Sequence, residues 1–168
     1  MNVLFHTSAA IGIIAIVVKE NKSDSIFSSN SIKQGLLSFV LGVTSHGVLD
    51  VIPHCYPFNS KLDAIASFLI MASIIFFIKN KYRFAVGMAF VGCFFPDLVD
   101  LSPQILNKYL GLNLPKLANL FPFHKHEYSG SIYNGDCNCS VIYQVITVFV
   151  VALICYFNKV KLMKLFTS

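Results

Sequence analysis

The chain has 168 residues, of which 55% are hydrophobic and only 12% charged, with a mean hydropathy of +0.67; soluble domains carry about 25% charge. Disordered chains are poor in apolar residues, so disorder is excluded, and the low charge argues for an integral membrane protein over a water-soluble globule. The formal charge is +5, but Lys and Arg sit in small groups between apolar runs rather than on one solvated face, so no nucleic-acid partner is expected.

A membrane-spanning helix needs about 20 mostly apolar residues. Five runs approach that length, at 3–18, 35–52, 64–78, 84–101 and 141–157. The first has no Lys or Arg before its apolar stretch and no clear small-residue cleavage site after it, so it reads as a retained helix rather than a signal peptide. Residues 19–34, rich in Ser, Asn and Lys, form a hydrophilic loop. The fourth run reaches spanning length only if the helix continues past Pro96 and Asp97 to include Leu98, Val99 and Leu101. In the 101–123 region, Ser102-Pro103 is a helix-start signal, and Gly111 and Pro115 divide the region into two short helices suited to the interface. The expected fold is all-α: a single membrane domain over 1–168, a bundle of about five transmembrane helices with short interfacial helices in the 101–123 region.

Positive charge sets orientation. One side of a five-span arrangement receives nine of the thirteen basic residues, and the other receives Lys61, Lys108, Lys116 and Lys125. The nine-charge side is expected to be cytoplasmic. This places the chain in the cytoplasmic membrane with its N-terminus outside and its C-terminus in the cytoplasm.

The same accounting gathers the other ionisable groups at the outer side: all five histidines, and six of the eight acids. His6, His46, Asp50, Asp97 and Asp100 lie within or at the end of apolar runs, where a charged group costs on the order of 2.5–3.5 kcal/mol. Such residues persist when they face a cavity and have partners. His46 and Asp50 are four apart on a helix, so they share a face at about 5–6 Å. That spacing suits two ligands of one metal ion, or a carboxylate that orients an imidazole towards the metal. Pro53 ends or kinks this helix and His54 comes next, at its mouth. Ser38, Gly42, Ser45 and His46 form a stripe of small and polar residues suited to close helix packing. Asp97 and Asp100 are three apart and also share a face. In an extended segment His124 and His126 would point the same way. Carboxylate with imidazole suits zinc, manganese or iron, and zinc is the expected ion. Cys55, Cys137 and Cys139 fall on the outer side, where disulfides persist; a bridge from Cys55 to the second outer loop is one option. Cys93 and Cys155 read as packing residues.

Phe5-His6-Thr7, Ser45-His46-Gly47-Val48-Leu49-Asp50 and Gly92-Cys93-Phe94-Phe95-Pro96-Asp97 resemble the membrane-bound metal-dependent hydrolases of bacteria, the group that includes the SOS-regulated inner-membrane type. That family carries a His in its first helix, a Pro-Asp-x-Asp motif at a helix end and a Ser-His-x-x-x-Asp helix. Here the Ser-His-x-x-x-Asp block comes second rather than last, and the second acid of the Pro-Asp motif falls one residue late, at Asp100. His124-Lys125-His126-Glu127-Tyr128-Ser129 loosely echoes the family's His-Arg-Gly block. The resemblance implies metal ligation by His6, His46, Asp50 and Asp97, with Asp100 as a neighbour. His54 and His124 are further candidate ligands, and Asp100, Glu127 or His126 is the candidate general base.

The expected function is a metal-dependent hydrolase at the outer face, acting on a membrane lipid or a lipid-linked phosphodiester. The sequence has no G-x-S-x-G, P-loop or CxxC pair, so serine-hydrolase, nucleotide-hydrolase and redox readings lack support. The alternatives are a non-enzymatic metal-binding or structural membrane protein, or a transporter or sensor subunit. A transporter usually shows an internal repeat. Here no repeat is visible and the polarity is one-sided.

Overall fold

A computed structural model describes residues 2–20, 23–56, 59–115, 119–132 and 137–167. Among them the architecture is all-helical. Its elements are α1 (Val3–Val17), α2 (Ser29–Val51), α3 (Ser60–Phe77), α4 (Asn80–Asp100), α5 (Ser102–Leu110), a 3-10 turn (Pro122–His124), α6 (Asn138–Phe157) and α7 (Lys159–Phe166). The extended structure among the described residues is a single parallel bridge between His54 and Ser131.

Local chemistry sets the helix ends. Ser28 caps α2, its hydroxyl accepting from Ser31 N at 3.2 Å, so α2 begins six residues before the apolar run that signalled it. Pro53 lies just past the end of α2, and α3 starts behind an Asn59 cap that accepts from Lys61 N at 2.9 Å. The helix α4 continues through Pro96 to Asp100. Of the two short helices expected in 101–123, only the first is present among the described residues. α5 stops at Gly111, whose φ of 64° lies in the left-handed region that glycine adopts without strain. Beyond it, the Asn107 amide clamps Leu114 through two 2.8 Å bonds, and the next helical turn among the described residues is the 3-10 turn at His124.

Among the described residues three helices, α3, α4 and Ser140–Phe157 of α6, are long and apolar enough to cross a membrane. The other two expected spans differ. α1 has 15 residues, about 22 Å of helix, and α2 has 23 residues but carries Ser, Gly, His and Asp along one side. Their positions explain this. α1 is the central helix, packed against α2, α3, α4, α6 and α7, and its apolar residues Ala10, Ile13, Ile14 and Val17 join Ala85, Val86, Ala89 and Phe90 of α4 in the main core. A helix apolar on all sides is what such a central position requires. The outer surfaces of α3 and α6 instead expose large apolar side chains, among them Phe68, Phe76, Phe77, Phe149 and Phe157.

The closest pairing is α2 against α4, and the small-residue stripe makes it. Ser31, Gly35, Ser38, Gly42, His46 and Asp50 are all buried along α2. At the crossing, a Cβ on Gly92 would meet the backbone of Phe39, with its Cα at 2.8 Å, and one on Gly42 would meet Gly92 Cα at 2.9 Å. The two ends of the bundle have opposite chemistry. At one end Lys161 Nζ donates to the last carbonyls of α1, Ala15 at 2.7 Å and Ile16 at 2.6 Å. At the other, Asp63 of α3 accepts from Val3 N at 2.8 Å and Leu4 N at 3.1 Å. A carboxylate from a neighbouring helix thus satisfies the N-terminal donors of α1, which lie at the positive end of its dipole.

Two glycines of α4 give a controlled test. A Cβ at Gly87 meets nothing within 4 Å. Gly87→Ala should therefore be neutral or stabilising by about 0.5–1 kcal/mol through helix propensity, whereas Gly92→Ala should cost about 1–3 kcal/mol by overpacking. Thermal unfolding of the detergent-solubilised variants reads the difference, and equal midpoints would contradict the close α2–α4 crossing.

Candidate metal centre

His46 and Asp50 occupy the last turns of α2, and Asp97 and Asp100 the last turn of α4. The glycine-mediated crossing brings these ends together. Pro96 removes one helical donor in this stretch. One residue along from the carbonyl that Pro96 leaves undonated, Cys93 O accepts from His46 Nδ1 at 2.6 Å. A carbonyl only accepts, so Nδ1 carries a proton, and in the neutral ring it is His46 Nε2 that carries the lone pair. That nitrogen lies 3.1 Å from Asp50 Oδ2 and 3.5 Å from Asp97 Oδ1.

His124 arrives from the 3-10 turn with the same construction. Its Nδ1 donates to Asp100 Oδ2 at 2.8 Å. Its Nε2 stands 3.3 Å from Asp50 Oδ2, 3.2 Å from Asp97 Oδ1 and 3.2 Å from His46 Nε2. Asp100 also accepts from Leu120 N at 2.9 Å and Phe121 N at 3.1 Å. One buried carboxylate thus docks the loop onto α4 and aims its imidazole. Burial alone would lower the pKa of His124, but the carboxylates of Asp50, Asp97 and Asp100 around it outweigh that effect and push it up to about 10.

His46, Asp50, Asp97 and His124 each present one ligand atom, and all four atoms lie within 4.8 Å of one another. Two carboxylate oxygens and, in the neutral rings, two imidazole nitrogens with their Nδ1 protons directed away form a set of acceptors around one point, in which a cation would take the place of the protons the rings otherwise bind. Such a set fits a divalent cation, and both rings have the outer hydrogen bonds usual for metal-bound histidine. The group could therefore hold a metal ion.

The other residues singled out by the sequence lie around this group or away from it. His6, fully buried, stacks on His46 with ring centroids 4.0 Å apart. Its Nε2 is 3.3 Å from Asp50 Oδ1, outside hydrogen-bond geometry. It therefore backs the cluster from α1 and does not join the four converging ligands. His54 is in a separate network: Nδ1 donates to Ile52 O at 2.7 Å, and Nε2 meets Ser131 Oγ at 3.1 Å and Tyr56 OH at 3.4 Å. Burial lowers its pKa, consistent with a neutral ring accepting from the hydroxyls. His124 and His126 do not project together, because the segment is a 3-10 turn and not extended. His126 and Glu127 are exposed in the turn after it. Asp100, a candidate base by sequence, spends its oxygens on His124 and two backbone amides.

A cavity of about 230 Å3 opens over the cluster, lined by Asp50, Asp97 and His124 together with Asn2, Tyr56 and Ser131. The loop beneath it is tied down by a Cys55–Cys137 disulfide, and by Ser140 and Gln144 of α6, which bond Cys55 N at 2.7 Å and Cys55 O at 3.0 Å. The side chain of Cys139 lies outside the described part of the structure. Sequence reasoning did not find the Cys93 carbonyl, Tyr56, Ser131 or the capping role of Asp63. Pro122 at the start of the turn was the only local signal that His124 would point differently from His126.

Comparison of the chain with protein-family models, with curated proteins and with solved structures finds no match.

Removing a carboxylate behind a metal-bound imidazole typically costs about 10–100-fold in affinity. If the group binds a divalent metal ion, Asp100→Asn should weaken that binding by this amount and His46→Ala should abolish it, while His126→Ala and Glu127→Gln leave it unchanged. Calorimetric titration of the chelator-stripped protein measures this. Undiminished affinity in His46→Ala would place the ion elsewhere.

Proposed function

We propose that the chain is a metal-dependent hydrolase of the membrane face, acting on a lipid or lipid-linked phosphodiester. One observation carries this reading: His46 Nε2 and His124 Nε2 face each other at 3.2 Å between two carboxylates, each with its Nδ1 proton already committed. The reading includes five spans. α1 is shielded inside the bundle, and α2 turns its polar stripe to α4 while exposing Leu36, Leu37, Val40 and Val51. The outer placement of the site is supported by the charge count and by the disulfide beside it, since disulfides persist outside the cytoplasm. The resemblance to bacterial membrane-bound metal-dependent hydrolases points the same way.

His46, Asp50, Asp97 and His124 would hold the ion, with zinc preferred and manganese or iron suited to the same donors. A bound divalent ion supplies Lewis acidity and makes water a better nucleophile near neutral pH. The chain's own groups do the rest. Asp100 and the Cys93 carbonyl fix the two rings. Tyr56 OH and Ser131 Oγ, 3.0 Å apart on the cavity wall, are held by His54 and give the wall beside the cluster a polar surface. Asp97 lines the cavity, and its side chain is 28% exposed against 10% for Asp50. Asp97 Oδ1 faces the two rings, and its other oxygen is the group to take the proton as the water oxygen bonds to phosphorus and the P–O ester bond breaks, and to return that proton to the departing alkoxide.

A non-enzymatic metal protein is the second reading, favoured by the His6–His46 stack, which locks α1 to α2. Turnover separates the two. The zinc- or manganese-loaded protein should cleave bis(4-nitrophenyl) phosphate, and His46→Ala and Asp97→Asn should reduce the rate to background. Metal-loaded wild type with no turnover on this diester or on phospholipid vesicles would leave the non-enzymatic reading.

A further inference from the structure

The contact between α3 and α4 is slight for two helices joined by a short connection, and the space between them is a furrow. Its lower part, about 770 Å3, is walled by Phe68, Met71 and Ile75 of α3 and by Phe90, Phe94 and Leu98 of α4, with Arg83 at the far end already donating to the Phe76 carbonyl at 3.1 Å. Its upper part, about 760 Å3, again includes Phe94 and Leu98 and adds Ala64, Leu101, Ile105 and Tyr109. The shared residues make it one track. From the level of Ala64 to that of Phe76 the helix rises about 18 Å, against about 15 Å for half of a ~30 Å hydrocarbon core.

The upper end has a different chemistry. Val3, Ser60, Asp97 and Leu101 line both the furrow and the cavity over the metal-type cluster, so the apolar track ends at Asp97. Lys61 and Lys108 line this end. In the five-span reading they are two of the four basic residues on this side. The cavity itself is acidic, with Asp50, Asp63 and Asp97 in its wall. An anionic headgroup approaching such a wall needs cations on its path, whereas a neutral lipid does not.

We propose that the α3–α4 furrow is the binding site of a phospholipid: an acyl chain lies between α3 and α4, and Lys61 and Lys108 hold the phosphate beside Asp97. The hydrolase reading supplies the fate of that lipid, but its binding does not depend on catalysis. The tail is recognised by apolar area along one leaflet's depth and the head by charge, so the substrate enters sideways from the bilayer.

The chain contains no Trp, so a single introduced indole reports on the furrow. Phe94→Trp, with Leu98→Trp as a second placement should the first not fold, is reconstituted in phosphatidylcholine vesicles containing brominated phosphatidylglycerol or brominated diacylglycerol. Val148→Trp, on the exposed face of α6, is the reference. The furrow indole should be quenched preferentially by the phosphatidylglycerol. That preference should fall about fivefold with each of Lys61→Gln and Lys108→Gln, and not with Lys125→Gln. The α6 indole should show no preference. Equal quenching by the two lipids in the furrow, or indifference to both lysine substitutions, would overturn the proposal. The two readings fail separately: a preference retained in metal-free Asp97→Asn keeps the furrow even if hydrolysis is absent, and metal-dependent diester cleavage without the preference removes the furrow alone.

Discussion

Two imidazole nitrogens bearing lone pairs, with two carboxylate oxygens beside them, repel one another unless a positive charge sits between. The His46 and His124 side chains cannot relieve this by turning a proton inward as neutral rings, because the Cys93 carbonyl and Asp100 hold both Nδ1–H groups from behind. The cluster is stable only with a shared cation or with protonated rings. This constraint shapes the rest of the bundle. α2 and α4 must cross closely enough to bring their ends together, hence Gly42 and Gly92. The loop carrying His124 must be held to α4, hence three bonds to Asp100. α1 must begin just before His6, and the Asp63 carboxylate caps that start.

The helices were readable because apolar length is a local property. Residues 64–78 and 141–157 largely coincide with α3 and α6, and Pro53 and Gly111 end helices where their backbone chemistry dictates. The first two apolar runs were less transparent. A buried central helix such as α1 and a helix with one polar face such as α2 both differ from a lipid-exposed span, and hydropathy alone does not say which neighbours cover them. Gly111 ends α5 as its backbone freedom allows, but among the described residues no second helix precedes Pro115, because the path of the chain after Gly111 is decided by the Asn107 clamp on Leu114, which no pattern shows.

The site was legible to the extent that helical spacing reaches. The i,i+4 relation of His46 to Asp50 and the i,i+3 relation of Asp97 to Asp100 hold, since all four sit on helix. Their roles divide along a line the spacing does not draw. Asp50 and Asp97 face the common point, while Asp100 faces the backbone amides of a loop twenty residues on. His54 and His124 are equally loop histidines in sequence. One is claimed by two hydroxyls and a carbonyl, the other by a carboxylate that turns it inward, and only the folded contacts distinguish them. A polar end closed by acids and histidines and an opposite end closed by lysines give the bundle its direction, and the furrow between α3 and α4 leads along that direction to the acidic end.

X-ray absorption spectroscopy of the zinc-loaded protein tests the central claim most directly. Two imidazole nitrogens and two carboxylate oxygens at about 2.0–2.2 Å, with the imidazole scattering reduced by half in His124→Ala, are the result the structure predicts. A sulfur shell at about 2.3 Å, or a first shell of oxygen alone that is unchanged in His124→Ala, would contradict it.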